Sequence, residues 1–339
     1  MQSFQLISIM NIVNDLTIGG HTMKYDVIAL GELLIDFTSS GISEQGNPLF
    51  EANPGGAPCN VLAMLNKLGH KTAFIGKVGQ DIFGTRLKKT LEEIDIDTTS
   101  LLMDKDARTT LAFVQNDETG DRSFSFYRNP GADMMLRAEE VDEEMIKASR
   151  IFHFGTLSMT HDTVREATKK ALDMAKANGL TISFDPNLRE SLWDTLDNAK
   201  KQVEYGLHFC DVLKISDNEI QWFTGEEDYD KGIQILKDTY HIPLILLSLG
   251  KEGSRAYYGD KCVEVPAFVR EDTVETTGAG DTFFGSCLHF VLEKGLDNLQ
   301  EADLKEMLTF ANAAASIITT RKGALMVMPS KEEVEALIK

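Results

Sequence analysis

The four cysteines in 339 residues, Cys59, Cys210, Cys262 and Cys287, stand far apart and show no Cys-x-x-Cys spacing. This excludes a disulfide framework and a paired-cysteine zinc site, and it makes a reducing cytoplasm the expected compartment. Positive charge is scarce. There are 34 Lys and Arg against 53 Asp and Glu, a formal net charge of -19 spread along the chain rather than gathered in a tail. Nucleic acid and anionic membranes are therefore not expected partners, and an anionic ligand needs positive groups supplied locally. No apolar run approaches the length of a membrane span. Residues 1–22 contain an apolar patch (Phe4, Leu6, Ile7, Ile9) but lack the basic region and small-residue cleavage site of a signal peptide. The regular pattern begins at Lys24, so residues 1–22 are expected to be a disordered extension with Met23 as the natural start. No Gly-x-Gly-x-x-Gly follows the first strand, which counts against a dinucleotide-dependent oxidoreductase. Repeats, low-complexity stretches and linkers are also missing, leaving residues 23–339 as one main α/β domain.

The most informative stretch lies late in the chain, Val274-Glu275-Thr276-Thr277-Gly278-Ala279-Gly280-Asp281, followed by Phe284, Leu288, Val291 and Leu292 at helical spacing. A small-residue loop feeding a helix presents unpaired N–H groups and the positive end of the helix dipole, which suits a phosphate. A carboxylate there would repel phosphate if binding were its only task. Asp281 makes more sense as a base acting on a hydroxyl beside the phosphate, which points to phosphoryl transfer to an alcohol. The plainer reading is that Asp281 caps its helix.

A strand over 26–30 ends in Gly31-Glu32-Leu33-Leu34-Ile35-Asp36, which places Asp36 near the carboxyl-end crevice of an open sheet, or in a solvated turn. Asn53-Pro54-Gly55-Gly56-Ala57-Pro58-Cys59-Asn60 is a second glycine-rich loop entering a helix. Bare backbone at Gly55 and Gly56 with the Asn60 amide suits a polyhydroxylated ligand, and equally a turn capped by Asn60. A strand over 73–76 and a helix over 81–91 follow. Strict alternation across Leu111–Val114 and Ser123–Tyr127, around a turn at residues 117–121, predicts a hairpin. With residues 37–52 it would form a small β-sheet lid over segments of about 37–52 and 109–130, whose edge and face could also pair with a second subunit. Arg128 at its exit is placed to reach a sugar oxygen or to lie on the surface.

Regular βα units follow: strands over 151–154, 180–184 and 211–215, and helices over 161–178 and 194–209. Two clusters end these strands, Asp185-Pro186-Asn187-Leu188-Arg189 and Lys214-Ile215-Ser216-Asp217-Asn218-Glu219. They fall where the sheet rule puts ligands, with carboxylates and amides for magnesium-bound water and Arg189 or Lys214 for phosphate charge. Singly, each residue reads equally as a cap or a surface group. A strand over 243–249 carries Ser248 and closes with Gly250-Lys251-Glu252-Gly253, and a hairpin spans 254–265. These segments are expected to wall a nucleotide pocket, with Lys214, Ser216, Ser248, Gly250, Gly253 and Asn312 as its contacts. The stripe Leu304, Met307, Leu308, Ala311, Ala314, Ala315 and Ile318 reads as core, and small neighbours beside Asn312 leave room for a flat base.

Three separated motifs agree: Gly55-Gly56 with Asn60, Gly76-Lys77-Val78-Gly79 with Asp81 and Gly84, and Thr277-Gly278-Ala279-Gly280-Asp281. From Lys24 onward the chain resembles the ribokinase/PfkB family of sugar kinases. The resemblance implies a ribokinase-like three-layer α/β sandwich with a mostly parallel central sheet and a β lid that often serves as a homodimer interface. It also implies ATP and Mg2+. Asp281 matches the catalytic base, Gly278, Ala279 and Gly280 the anion hole, and Asp36, Gly55, Gly56 and Asn60 the sugar contacts, joined here by Arg128, Asn187 and Arg189. Glu219 matches the family's glutamate near magnesium, with Ser216 where an asparagine would stand. Glu275 replaces the usual aspartate in a loop that can hold K+, which bears on any potassium requirement. Residues 31–37, 123–133 and 185–189 resemble fructokinases, implying phosphorylation of D-fructose to fructose 6-phosphate. Other family acceptors, 2-keto-3-deoxygluconate, ribose or a nucleoside, stay open. So does a non-catalytic sugar or nucleotide sensor, although a sensor has no use for a base beside the phosphate.

Overall fold

Residues 27–30 and 244–247 are apolar at every position, the pattern of parallel strands covered on both faces rather than one. The computed structural model, which describes residues 17–18, 21–116 and 122–339, bears this out. Two short strands, β1 (Thr17–Ile18) and β2 (His21–Thr22), pair antiparallel. The rest of the expected N-terminal extension lies outside the described residues, as does the turn at 117–121. The first half of the domain runs β3 (Tyr25–Leu30), β4 (Leu34–Ile42), β5 (Pro48–Gly55), α1 (Ala57–Lys67), β6 (Thr72–Gly79), α2 (Ile82–Glu93), β7 (Ile96–Asp97), β8 (Leu101–Asp104), β9 (Leu111–Asn116) and β10 (Arg122–Tyr127). The second half runs α3 (Glu143–Lys147), β11 (Ser149–Gly155), α4 (Asp162–Ala177), β12 (Thr181–Asp185), α5 (Leu196–Leu207), β13 (Val212–Ser216), α6 (Asp217–Thr224), α7 (Tyr229–Tyr240) and β14 (Leu244–Ser248). The hairpin β15 (Ser254–Tyr258) and β16 (Lys261–Val265) and the helices α8 (Ala279–Lys294), α9 (Glu301–Ile318) and α10 (Lys331–Ile338) complete it.

The large sheet has the order β16-β15-β14-β13-β12-β11-β3-β6-β7, with β8 also on β6, and is parallel except for the β14–β15–β16 edge. Alternate residues of its central strands feed two separate cores. Val27, Ala29, Leu244 and Leu246 pack with α1, α8 and α9. Ile28, Leu30, Ile245 and Leu247 pack with α4, α5 and α7 on the other face. Three layers result, helices on both sides of a sheet. The stripe on α9 is core as expected, with Leu304, Met307, Leu308, Ala311, Ala314 and Ile318 all buried.

A smaller four-stranded sheet, β10-β9-β4-β5, stands apart and is built from the two segments expected to form it. Its outer pairs are antiparallel and its middle pair, β4 with β9, is parallel. The chain moves from β3 out to the small sheet and back to β6 on one side, then returns to β11 on the other side of β3. The strand order therefore reverses between β3 and β11, and open α/β sheets bind ligands beyond the carboxyl ends of strands at such a point.

Element boundaries moved for local reasons. β6 runs on to Gly79, past the expected end at Gly76, because Gly76 to Gly79 pair with β8. Helix α5 starts at Leu196 rather than Asp194, since the Thr195 hydroxyl caps it by accepting from the Asn198 N–H. Asp81 caps α2 through the Phe83 and Gly84 N–H groups and also accepts from the Thr109 N–H and hydroxyl, at 2.8–3.0 Å. It thereby ties α2 to the root of the small sheet. Replacing Asp81 by Ala leaves these donors unpaired and is expected to cost about 2–3 kcal/mol, seen as a lower Tm in scanning calorimetry, with a smaller loss for Asp81→Asn.

Candidate active site

Gly278 caps α8 in the left-handed region at φ 75°, and a Cβ there would lie 2.5 Å from the Ala324 side chain. Only glycine fits, and this tight entry sets the direction of the helix start. The Ala279 N–H turns back onto the Thr276 carbonyl at 3.2 Å. The Gly280 N–H begins the helix, where geometry denies it an acceptor one turn earlier. Asp281 does not cap its own helix. Its Oδ2 accepts a 2.7 Å hydrogen bond from Asn60 Nδ2, 221 residues away on α1. That bond fixes which end of the Asn60 amide faces the carboxylate, and the buried Asn60 Oδ1 is left without a partner among the described residues.

These groups open into a cavity of about 400 Å3 at the reversal between β3 and β11. Asp36, Gly56, Asn60, Asn187, Arg189, Lys214, Gly278, Gly280 and Asp281 line it, so residues expected from five separate segments meet there. Gly55 lies behind, where a Cβ would sit 2.2 Å from the Asp36 carboxylate. A second cavity, of about 380 Å3, is walled by Gly250, Ala279, Asn312 and residues 267–270. Thr276 lines both, so the start of α8 stands where the two cavities meet.

The charge arrangement is dense. Lys214 Nζ donates to both Asp185 oxygens at 3.0 and 3.1 Å, and both side chains are buried. Burial pushes Asp185 up to about 7 against the pull of Lys214, helped by the Glu219 and Asp281 carboxylates. Those three carboxylates raise Lys214 against its own burial, so it holds its proton. Burial also raises Asp281, while the Asn60 hydrogen bond and the charges of Lys214 and Arg189 pull it back. A carboxylate lifted above its usual range yet held by three stabilising groups is suited to accepting a proton.

Several expected contacts are placed elsewhere. Arg128 lines neither cavity: its guanidinium pairs with Asp133 and donates to the Thr160 hydroxyl and the Leu157 carbonyl. Ser216 caps α6 in a reciprocal box with Glu219, whose carboxylate also accepts from the Leu188 N–H at 2.8 Å. Ser248 ends β14 in register with Ser216 and Ser254. Gly253 is a tight-turn residue at φ 115°, where a Cβ would strike the Val265 carbonyl. Asn312 borders the second cavity, but its amide is spent on Ser254 and on the carbonyls of Val265 and Pro266. Sequence reasoning missed Glu32, Thr276 and Ser316. Glu32 is buried beside the first cavity and accepts from the Ala57 N–H at 2.9 Å, and burial raises it to about 7. Ser316 lines the second cavity, and its buried hydroxyl has no partner among the described residues. The motif context hinted at Glu32 and Thr276, whereas Ser316 hides in a helical stripe.

The description "pfkB family carbohydrate kinase" matches residues 16–331. The chain belongs to this family. As a pfkB carbohydrate kinase it is a phosphotransferase acting on a sugar hydroxyl. It is 40% identical over 315 residues to probable fructokinase-2 of Arabidopsis thaliana, covering 92% of this chain and 95% of that protein. A fructokinase from Xylella fastidiosa with bound ATP superposes with a TM-score of 0.83 at 31% identity, over 92% of this chain and 98% of that one. A fructokinase double mutant from Vibrio cholerae O395, in fructose, ADP and potassium ion bound form, gives 0.83 at 29% identity over 93% and 99%. No helix among the described residues is long and apolar enough to cross a membrane.

The Asn60–Asp281 bond makes a prediction that can be read in a pH profile. Replacing Asn60 by Ala removes a contact that lowers Asp281, so its folded-state pKa rises further. A base at Asp281 would have to be ionised to act, so the acid limb of kcat is expected to move to higher pH; an unshifted limb would show that Asn60 does not tune such a group.

Proposed function

We propose that the protein is an ATP-dependent fructokinase that converts D-fructose to fructose 6-phosphate with Asp281 as general base. The observation carrying this reading is the position of Asp281 at the start of α8, hydrogen-bonded to a sugar-side residue and adjoining the junction of the two cavities. Fructose would occupy the first cavity. There Asp36 and the Asn60 Oδ1 accept from its hydroxyls, and Gly56 allows close approach. ATP would occupy the second, with its γ-phosphate at the helix start. The 6-hydroxyl gives its proton to Asp281 as its oxygen bonds to the γ-phosphorus. The bond to the β-phosphate oxygen breaks, and ADP leaves. The Gly280 N–H, the helix dipole, Lys214 and Arg189 would meet the growing charge.

The carboxylates of Asp185 and Glu219 beside Lys214 fit a magnesium ion held through its waters, since magnesium keeps several waters and takes few protein ligands. Such an ion would neutralise charge on the transferred phosphate. The potassium ion in the Vibrio cholerae protein supports a monovalent-cation requirement here as well. Glu275 would brace the loop concerned rather than ligate, because its carboxylate accepts from the Gly323 N–H at 2.8 Å. The commitment of Arg128 to Asp133 removes one of two arginines that could have held the carboxylate of a keto-acid, which favours a neutral sugar.

The small sheet carries exposed apolar side chains at Ile42, Leu49, Phe50 and Tyr127, beside a cluster in which Phe113 touches Phe37, Phe50 and Tyr127. We propose that two copies of the chain pair through this sheet, as contiguous apolar surface favours association.

Three experiments test these readings. In a coupled assay with ATP across fructose, ribose, 2-keto-3-deoxygluconate and adenosine, fructose is expected to be the best acceptor. Asp281→Asn should lose about 10²- to 10⁴-fold in kcat while keeping the parent's circular dichroism spectrum; near-parental turnover would refute the general base. Light scattering after size exclusion is expected to show a dimer that Ile42→Glu converts to monomer, and a monomeric parent would refute the pairing.

A further inference from the structure

Helix α8 carries the anion site at its N-terminal end, and its C-terminal half bears His289 and Glu293 one turn apart. His70, in the turn between α1 and β6, brings its Nε2 to 2.7 Å from His289 Nδ1. One ring nitrogen of each histidine and a Glu293 carboxylate oxygen all lie within 4.8 Å of one another. None of the three residues lines the sugar or nucleotide cavity, and the proposed reaction uses none of them.

The pair is braced from behind. The other ring nitrogen of His70, Nδ1, faces Asp26 Oδ2 at 3.7 Å. Asp26 is itself fixed by the Lys71 N–H at 2.9 Å and by Arg150 at 3.0 Å. A carboxylate behind an imidazole is how proteins orient a histidine toward a metal and raise its basicity. His289 is wedged against Phe290 and Phe310, which limits its rotation. A separate surface cavity of about 610 Å3, lined by His289, Glu293, Lys305, Glu306, Lys331 and Glu335, gives access from solvent.

We propose that His70 Nε2, His289 Nδ1 and the Glu293 carboxylate form a site for one divalent transition-metal ion of the zinc class, with Asp26 orienting His70. Two imidazoles and a carboxylate are a zinc-type ligand set, leaving a fourth position for water. Magnesium prefers oxygen ligands, so this site is distinct from the one serving the nucleotide. Nitrogens each ~2.0–2.1 Å from a zinc ion lie roughly 3.3 Å apart at the tetrahedral angle, so a sub-ångström parting of the rings admits the ion. In place of the proton shared between the two histidines, the metal would pin the far end of the catalytic helix to the α1–β6 turn.

The test uses the full chain, without a histidine tag, stripped with EDTA and free of nucleotide. Titration with zinc chloride in a calorimeter is expected to show one ion bound per chain, and cobalt chloride a visible absorption band of low-coordinate Co2+. Glu293→Gln changes an exposed side chain and leaves folding intact. It should weaken zinc binding by at least about tenfold, as should Asp26→Asn through loss of orientation. Cys262→Ser, at an exposed thiol, should leave binding unchanged. The proposal is overturned if the parent binds no zinc, if Glu293→Gln and His70→Gln both keep parental affinity, or if binding is lost with Cys262→Ser.

Discussion

The site depends on one hydrogen bond, from Asn60 on α1 to Asp281 on α8. It joins two helix starts that lie at opposite ends of the sequence, and it forms only if the helices approach closely. Gly285 permits that approach. A Cβ at this position would lie 2.9 Å from both the Val61 carbonyl and the Met64 Cβ, so a larger residue would wedge α8 away from α1. The two glycine-rich loops then converge because the helices behind them are packed against each other and against the same face of the sheet. Burying these apolar helix faces holds the polar contact in place. The bond in turn keeps a carboxylate ionisable in surroundings that favour its protonated form.

The same economy governs the charges. Asp185, Glu219 and Asp281 surround Lys214, with Arg189 nearby: Lys214 itself holds Asp185, Ser216 and the Leu188 N–H hold Glu219, and Asn60 holds Asp281. Isolated, any of these charges would be strongly disfavoured at such depth. Together they compensate one another, and the arrangement is poised to accept the further negative charge of a nucleotide only because Lys214 and the start of α8 face the same space.

Much of this was legible in the sequence. The Gly278–Asp281 and Gly55–Asn60 segments identified both helix entries, the regular βα alternation identified a parallel sheet, and the alternation in Leu111–Val114 identified the separate small sheet. What was not legible was the orientation of long side chains. Arg128 stands near the right place in the chain, but its guanidinium turns inward to Asp133, a partner only five residues away whose burial sequence spacing does not reveal. Asn312 borders the expected cavity, yet its amide goes to the backbone between β16 and residue 266, because otherwise those carbonyls would be buried without donors. Glu32 was passed over because a glutamate after a strand looks like surface, and only the fold shows its carboxylate holding the first N–H of α1. The His70–His289 pair was invisible for a similar reason: its members are 219 residues apart and share no motif.

The small sheet is entered and left twice, at Leu34 and Gly55 and again at Leu111 and Tyr127. A flap on a single hinge can swing freely, but a plate clamped at four corners can only tilt. Two of its corners are further stiffened, one by Asp36 packing against Gly55 and one by the Thr110–Asp133–Arg128 chain of contacts. Any movement of this plate over the first cavity is therefore carried by four crossings to the main domain rather than by one hinge. One of its strands, β10, sets Phe126 into the lining of that cavity, so the plate supplies part of the wall as well as the cover.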